Sequence, residues 1–186
     1  GSLFHNGFTM AFTWLLGRCI GAIALAAVGS AYTLLVFLIS ILLGLSMGSG
    51  TVFSLQYGAS DLSALRRSIY VSLLLIGTVT ILLNVAVFLW LDPILRWLQV
   101  PYDIYPLMRN YLWIIFWGIV FTFLYNFYAA LLRAVGDSVT PLGFLAVSVV
   151  LNIGLDLFLI LVLDQGIEGA AVATVIAQGT AASGIL

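Results

Sequence analysis

The chain has no lysine, one histidine, one cysteine and four prolines in 186 residues, and only 7% of its residues are charged. Each scarcity excludes something. Soluble domains carry about 25% charged residues. A chain with 7% charge, 63% hydrophobic residues and a mean hydropathy of +1.23 is therefore an integral membrane protein. Six arginines against seven acids give a net charge of −1, which leaves no basic excess of the kind nucleic acid requires. Cys19 has no partner for an internal disulfide, and His5 alone cannot build a zinc site, so both read as packing residues. No basic n-region followed by a small-residue cleavage site marks a signal peptide. There is no Walker loop, no pair of Asp-rich motifs for a magnesium diphosphate, no HExxH, and no Ser or Cys with a convincing His partner. An ATP-driven pump, a membrane prenyltransferase and an intramembrane protease are thereby set aside. The expectation is a non-enzyme without cofactors.

What the chain does have is long apolar runs. Leu3–Leu16 is 14 residues, short of the ~20 needed to span, and reads as the later part of a helix. Gly17, Arg18 and Gly21 mark a membrane exit, and Ile23–Ser30 a short re-entry. Ala31–Gln56, Ile69–Leu91, Tyr111–Leu132 and Pro141–Leu163 are each long enough to cross, and a sixth run begins at Gly169. The fold class is all-α: a polytopic membrane bundle of six helices, the first and sixth incomplete, forming a single unit over residues 1–186. Gly44 and Gly48, four apart, with Gly50 following, give the second run a small-residue face where another helix could approach. Asp92-Pro93 and Thr140-Pro141 each read as N-cap and N1 of a new helix. Tyr57–Arg67 and Pro101–Asn110 read as polar connectors, and Asp164–Gly169 as a tight turn. Trp113 and Trp117 share a face and read as belt or packing residues.

Inside the fifth run stands one acid, Asp156. With Ser148 and Asn152 it is spaced i, i+4, i+8, one polar stripe on a helix. At 1.5 Å per residue it lies roughly 22 Å from Pro141 and about 12 Å from Asp164. A carboxylate at such depth costs about 2.5–3.5 kcal/mol on insertion scales, so it must face protein or water. Two functions use such a group: a solute transporter, or a structural or engineered bundle in which Asn152 and Asp156 are interhelical glue. A charge is expensive glue where Asn or Ser would serve, which favours transport. Orientation stays open on charge. Arg66, Arg67 and Arg133 follow the second and fourth runs, while Arg18, Arg96 and Arg109 follow the first and third.

Several stretches carry a family resemblance: LLRAVGDSVTP (Leu131–Pro141), LNIGLDLFLI (Leu151–Ile160), GIEGAAVATVIAQ (Gly166–Gln178), GRCIGAIALAAVGS (Gly17–Ser30), GLSMGSG (Gly44–Gly50), QYGASD (Gln56–Asp61) and DPILRWLQVP (Asp92–Pro101). In family order they resemble the N-terminal lobe of multidrug and toxic compound extrusion (MATE) antiporters. The resemblance implies two six-helix lobes around a central cavity in the plasma membrane or bacterial inner membrane. It implies export of organic cations or amphipathic drugs in exchange for protons or sodium ions by alternating access. It also implies a second lobe as partner, cytoplasmic connectors after the second and fourth runs, and contact with membrane lipids. The family's N-lobe ion site carries over to Asn152, Asp156 and Thr174, with Ser148, Asn126 and Phe12 lining the cavity. Phe12 stands where the family pattern has an Asp, six residues before Arg18. The only metal implied is a monovalent cation at Asp156, and loss of the second carboxylate leans the coupling toward protons. The related flippases of lipid-linked sugars line their cavity with arginines. No Arg lies within a predicted span here.

Overall fold

The computed structural model of the chain describes residues 22–97, 100, 102, 105–163 and 165–186. In lipid every backbone N–H and C=O must be satisfied internally, which a helix does within one segment. Among the described residues the regular structure is accordingly all helical: α1 (Ala22–Gly58), α2 (Leu62–Trp97), α3 (Tyr105–Ala134), α4 (Val139–Leu157) and α5 (Gly166–Ile185). A π turn at Phe158–Val162 closes α4. Helices α1 to α4 each hold a stretch long and apolar enough to cross a membrane. The sixth expected run is the 20-residue α5. The first, Leu3–Leu16, lies outside the described residues.

The helices run further than the apolar runs. Ile23–Ser30 is no re-entry but the first turns of the 37-residue α1. The connector expected at Tyr57–Arg67 shrinks to three residues between Gly58 and Leu62, turned by Ser60 at φ 57. Asp61 starts α2 by accepting from the Ala64 N–H at 2.9 Å and the Ser63 hydroxyl at 2.8 Å. The backbone bond leads in holding its carboxyl below the usual carboxylate range. The new helix expected at Asp92-Pro93 begins after a break at Trp90 (φ −109, ψ 16), with Pro93 in its first turn, where a missing N–H costs nothing; it follows the longer part of α2 directly across this kink. Among the described residues the Asp92 side chain does not cap it. Its Oδ1 accepts from the Tyr105 hydroxyl at 2.8 Å and from Arg109 Nε at 3.1 Å. α4 is capped by Asp137 rather than Thr140: Asp137 Oδ1 accepts the Val139 and Thr140 N–H groups at 3.1 and 3.0 Å, and Ser138 is the N-cap residue. Asp164–Gly169 is mostly helix, since α5 begins at Gly166 (φ 59).

α3 is the hub, with 44% of its spanning window buried against 17–22% in the other three. Its Leu112, Phe116, Phe123 and Phe127 join Leu42 and Phe53 of α1 and Ile76, Leu91 and Leu95 of α2 in one apolar core. Phe53 meets Phe127 edge-on at 5.9 Å between centroids. Trp113 and Trp117 stack on Phe88 and on each other, about half exposed. The other side of α3 meets α5 through small residues. Without a hydrophobic drive between helices in lipid, close backbone approach is what holds such pairs. Ala170, Ala171, Ala173 and Ala177 are buried on α5. A Cβ on Gly118 would stand 2.9 Å from Gln178 Oε1 and 3.0 Å from Val175 Cγ2. Of the small-residue face expected on α1, Gly50 is a close approach, since a Cβ placed there would stand 3.3 Å from Ala130 Cβ, whereas nothing among the described residues lies within 4 Å of a Cβ placed on Gly44 or Gly48.

Candidate functional site

The stripe on α4 faces α5. The Ser148 hydroxyl donates to the Ala177 carbonyl at 2.9 Å, and Asn152 Nδ2 donates to Thr174 Oγ1 at 3.4 Å. Thr174 in turn donates to the Ala170 carbonyl at 2.9 Å. Four residues on along α4 answer to three or four back along α5, so the next step places Asp156 level with Ala170. Ala170 has no polar side chain, and its carbonyl accepts the Thr174 hydroxyl. Asp156 is 4% exposed, and its Oδ1 has no hydrogen-bond partner among the described residues. An unsatisfied buried polar atom in a low-dielectric layer is costly. The π turn begins two residues later, at Phe158, where the helix widens.

Tyr111, 8% exposed, is a buried hydroxyl-bearing residue of α3, the helix that packs against α5. Sequence reading places Tyr111 only as the first residue of a span. It stands 45 residues from Asp156, and no local pattern links them. Its one signal is a hydroxyl inside an apolar run.

The expected residues therefore divide. Asn152, Thr174 and Ser148 come together along the α4–α5 seam, with Asp156 at its end. Asn126 does not join them: its Nδ2 donates to the Thr122 carbonyl of its own helix at 2.7 Å. It lies 15 residues beyond Tyr111 on α3, roughly 22 Å along the axis. Phe12 lies outside the described residues. Among the described residues no group of three or more His, Cys, Asp or Glu gathers to hold a metal. One carboxylate with an amide and a hydroxyl nearby suits a proton or a monovalent cation, not a divalent one.

A second buried amide sits elsewhere in the bundle. Asn84, the one strongly polar residue of its span, donates through Nδ2 to the Phe116 carbonyl at 3.0 Å, tying α2 to α3. That bond serves its Nδ2 alone: Asn84 Oδ1, like Ser46 Oγ and Gln56 Oε1, is buried without a partner among the described residues, so what sets Asp156 apart is that its unsatisfied oxygen belongs to an acid.

Comparison with known proteins bears on the family and the fold. The MatE family profile matches residues 1–158. The "Probable multidrug resistance protein YpnP" of Bacillus subtilis (strain 168) is 37% identical over 181 residues, 97% of this chain and 41% of that protein. The "Probable multidrug resistance protein YoeA" of the same organism is 36% identical over 165 residues, 87% of this chain and 36% of that one. The chain thus spans about 40% of the length of these relatives. The solved Vibrio cholerae MATE transporter VcmN in the bent form superposes with a TM-score of 0.86 at 27% identity, covering 98% of this chain and 41% of that one. The outward-facing conformation of a multidrug resistance MATE family transporter of the MOP superfamily superposes with a TM-score of 0.90 at 23% identity, covering 97% and 40%.

Proposed function

The chain belongs to the MatE family, and from that premise we propose that it forms one lobe of a secondary exporter of organic cations or other amphipathic drugs. Its six-helix lobe pairs with a second lobe across a central cavity. Exchange of the drug for protons or sodium ions proceeds by alternating access as the lobes rock.

The observation that carries this reading is Asp156: a carboxylate 4% exposed, inside a spanning helix, with an oxygen that no described residue satisfies. Such a group needs a proton or a cation to be neutral in its surroundings. Loading and unloading it is a change in charge at the α3–α4–α5 junction, which is what an ion-coupled switch requires. Asn152 and Thr174 hold the seam beside it and offer oxygen atoms to a bound ion. Tyr111 is the polar group on the α3 side. Ser148 and Asn152 are also satisfied as interhelical hydrogen bonds, so the packing reading suffices for Ser148. It does not suffice for Asp156.

The test is drug export by cells carrying the lobe together with its second half. Asp156→Asn, nearly isosteric and permanently neutral, is expected to abolish dye export while the protein still reaches the membrane in normal amount. Export at the unaltered rate would leave Asp156 as packing alone.

A further inference from the structure

α2 and α3 run antiparallel in a register that two contacts define. Asn84 of α2 bonds the Phe116 carbonyl, and seven residues earlier Gly77 faces Phe123, seven residues later on α3. Ten further residues along each helix bring Arg67 level with Arg133, with Arg66 beside Arg67. All three are exposed. Before its kink at Trp90, α2 runs from Leu62 to Leu89, about 42 Å of helix against roughly 30 Å of hydrocarbon, so its start stands among the headgroups. Arg133 occupies the last turn of α3 at the same surface.

No acid among the described residues pairs with these charges. Among the described residues the one ion pair within 4 Å is Arg109–Asp92, at the opposite end of the bundle. The acids at the arginine end are Asp61 and Asp137, and each spends an oxygen on N–H groups at a helix start. Arg66 and Arg67 lie in the second turn of α2. Exposed Tyr57 and Tyr70 flank the cluster, as suits headgroup depth.

We infer that Arg66, Arg67 and Arg133 form a binding surface for the headgroup of an anionic phospholipid. At this depth lipid phosphate is the abundant anion, and the guanidinium fork matches two of its oxygens. The acyl chains lie along the exposed apolar flank of α2, where Leu74, Leu75, Ile81 and Leu82 are uncovered. The even split of three arginines to each surface conceals this asymmetry: the opposite end carries Asp92 and Glu168, and one of its arginines is paired.

The test is native mass spectrometry of the full chain released from nanodiscs of mixed phosphatidylglycerol and phosphatidylcholine. The unaltered chain is expected to retain phosphatidylglycerol in preference, and sodium chloride is expected to erode that preference. Each single Arg→Gln change is expected to weaken retention about five-fold and R66Q/R67Q/R133Q about a hundred-fold. The Arg109→Gln control is expected to leave it unchanged. Equal retention of the two lipids by the unaltered chain, or a preference insensitive to salt, overturns the proposal even if the triple variant does not fold. Displacement of phosphatidylglycerol by inorganic phosphate at matched concentration reassigns the surface to soluble anions and overturns it too.

Discussion

Asn152 reaches across the α4–α5 seam to Thr174, amide nitrogen to hydroxyl oxygen at 3.4 Å, while Asp156, one turn further along the same face, finds no such partner. Two side chains of one stripe thus differ: the Asn152 amide nitrogen is bonded across the seam, and Asp156 Oδ1 has no partner among the described residues.

The seam bonds are expected to be modest. Thr174→Val removes the hydroxyl at nearly constant volume and breaks both its bonds. A loss of about 0.5–1.5 kcal/mol is expected in unfolding from detergent micelles, in line with interhelical hydrogen bonds in other membrane bundles. Ser148→Ala is expected to cost a similar amount and to leave the ion dependence of transport unaltered. A change in that dependence would make Ser148 part of the site.

The glycines separate by what surrounds them. Gly118→Ala drives a methyl group to within 2.9 Å of Gln178 Oε1 and 3.0 Å of Val175 Cγ2, where α3 and α5 are closest. Overpacking of this kind costs about 1–3 kcal/mol. Gly44→Ala meets nothing within 4 Å among the described residues, and is expected to be neutral or to stabilise α1 by up to about 1 kcal/mol through helix propensity. Thermal unfolding of the two variants side by side checks the contrast.

Much of the fold is legible in the sequence because lipid imposes a length. Some 20 apolar residues must run together to cross, so Ala31–Gln56, Ile69–Leu91, Tyr111–Leu132 and Pro141–Leu163 stand out. Their ends do not. A helix stays helical beyond the hydrocarbon, among headgroups that tolerate Arg66, Arg67 and Arg96, and polarity alone therefore misplaces each boundary. Gly166-Ile-Glu-Gly169 reads as a turn, yet only Gly166 takes positive φ, and Glu168 suits the first turn of a helix that starts there. The stripe Ser148–Asn152–Asp156 follows from 3.6-residue periodicity. What each member bonds to depends on the register of α4 against α5, and Tyr111 enters through the packing of α3. Neither is encoded locally.

Helix α4 carries a pH dependence at its start. The Thr140 hydroxyl and amide, with the Val139 amide, hold the Asp137 carboxyl below its ordinary value of 3.8. A carboxyl lowered by folding stabilises the folded state above its unfolded value, and the contribution is lost as pH falls through the folded one. The amides of Val139 and Thr140 are therefore expected to be protected at neutral pH and to lose protection, relative to the intrinsic exchange rate at each pH, as the pH drops below about 4. In Asp137→Asn that acid-induced step is expected to vanish. Hydrogen exchange with fragment-level resolution over the α3–α4 connection measures both.

The central claim is that Asp156 carries the coupling ion. The most direct measurement is drug export from proteoliposomes holding the two-lobe transporter, driven in turn by a proton gradient and a sodium gradient, with the unaltered protein and Asp156→Asn. The expected result is that one gradient drives export by the unaltered protein, and that neither drives it in the variant although drug still binds. Gradient-driven export by Asp156→Asn at the unaltered rate would contradict the account.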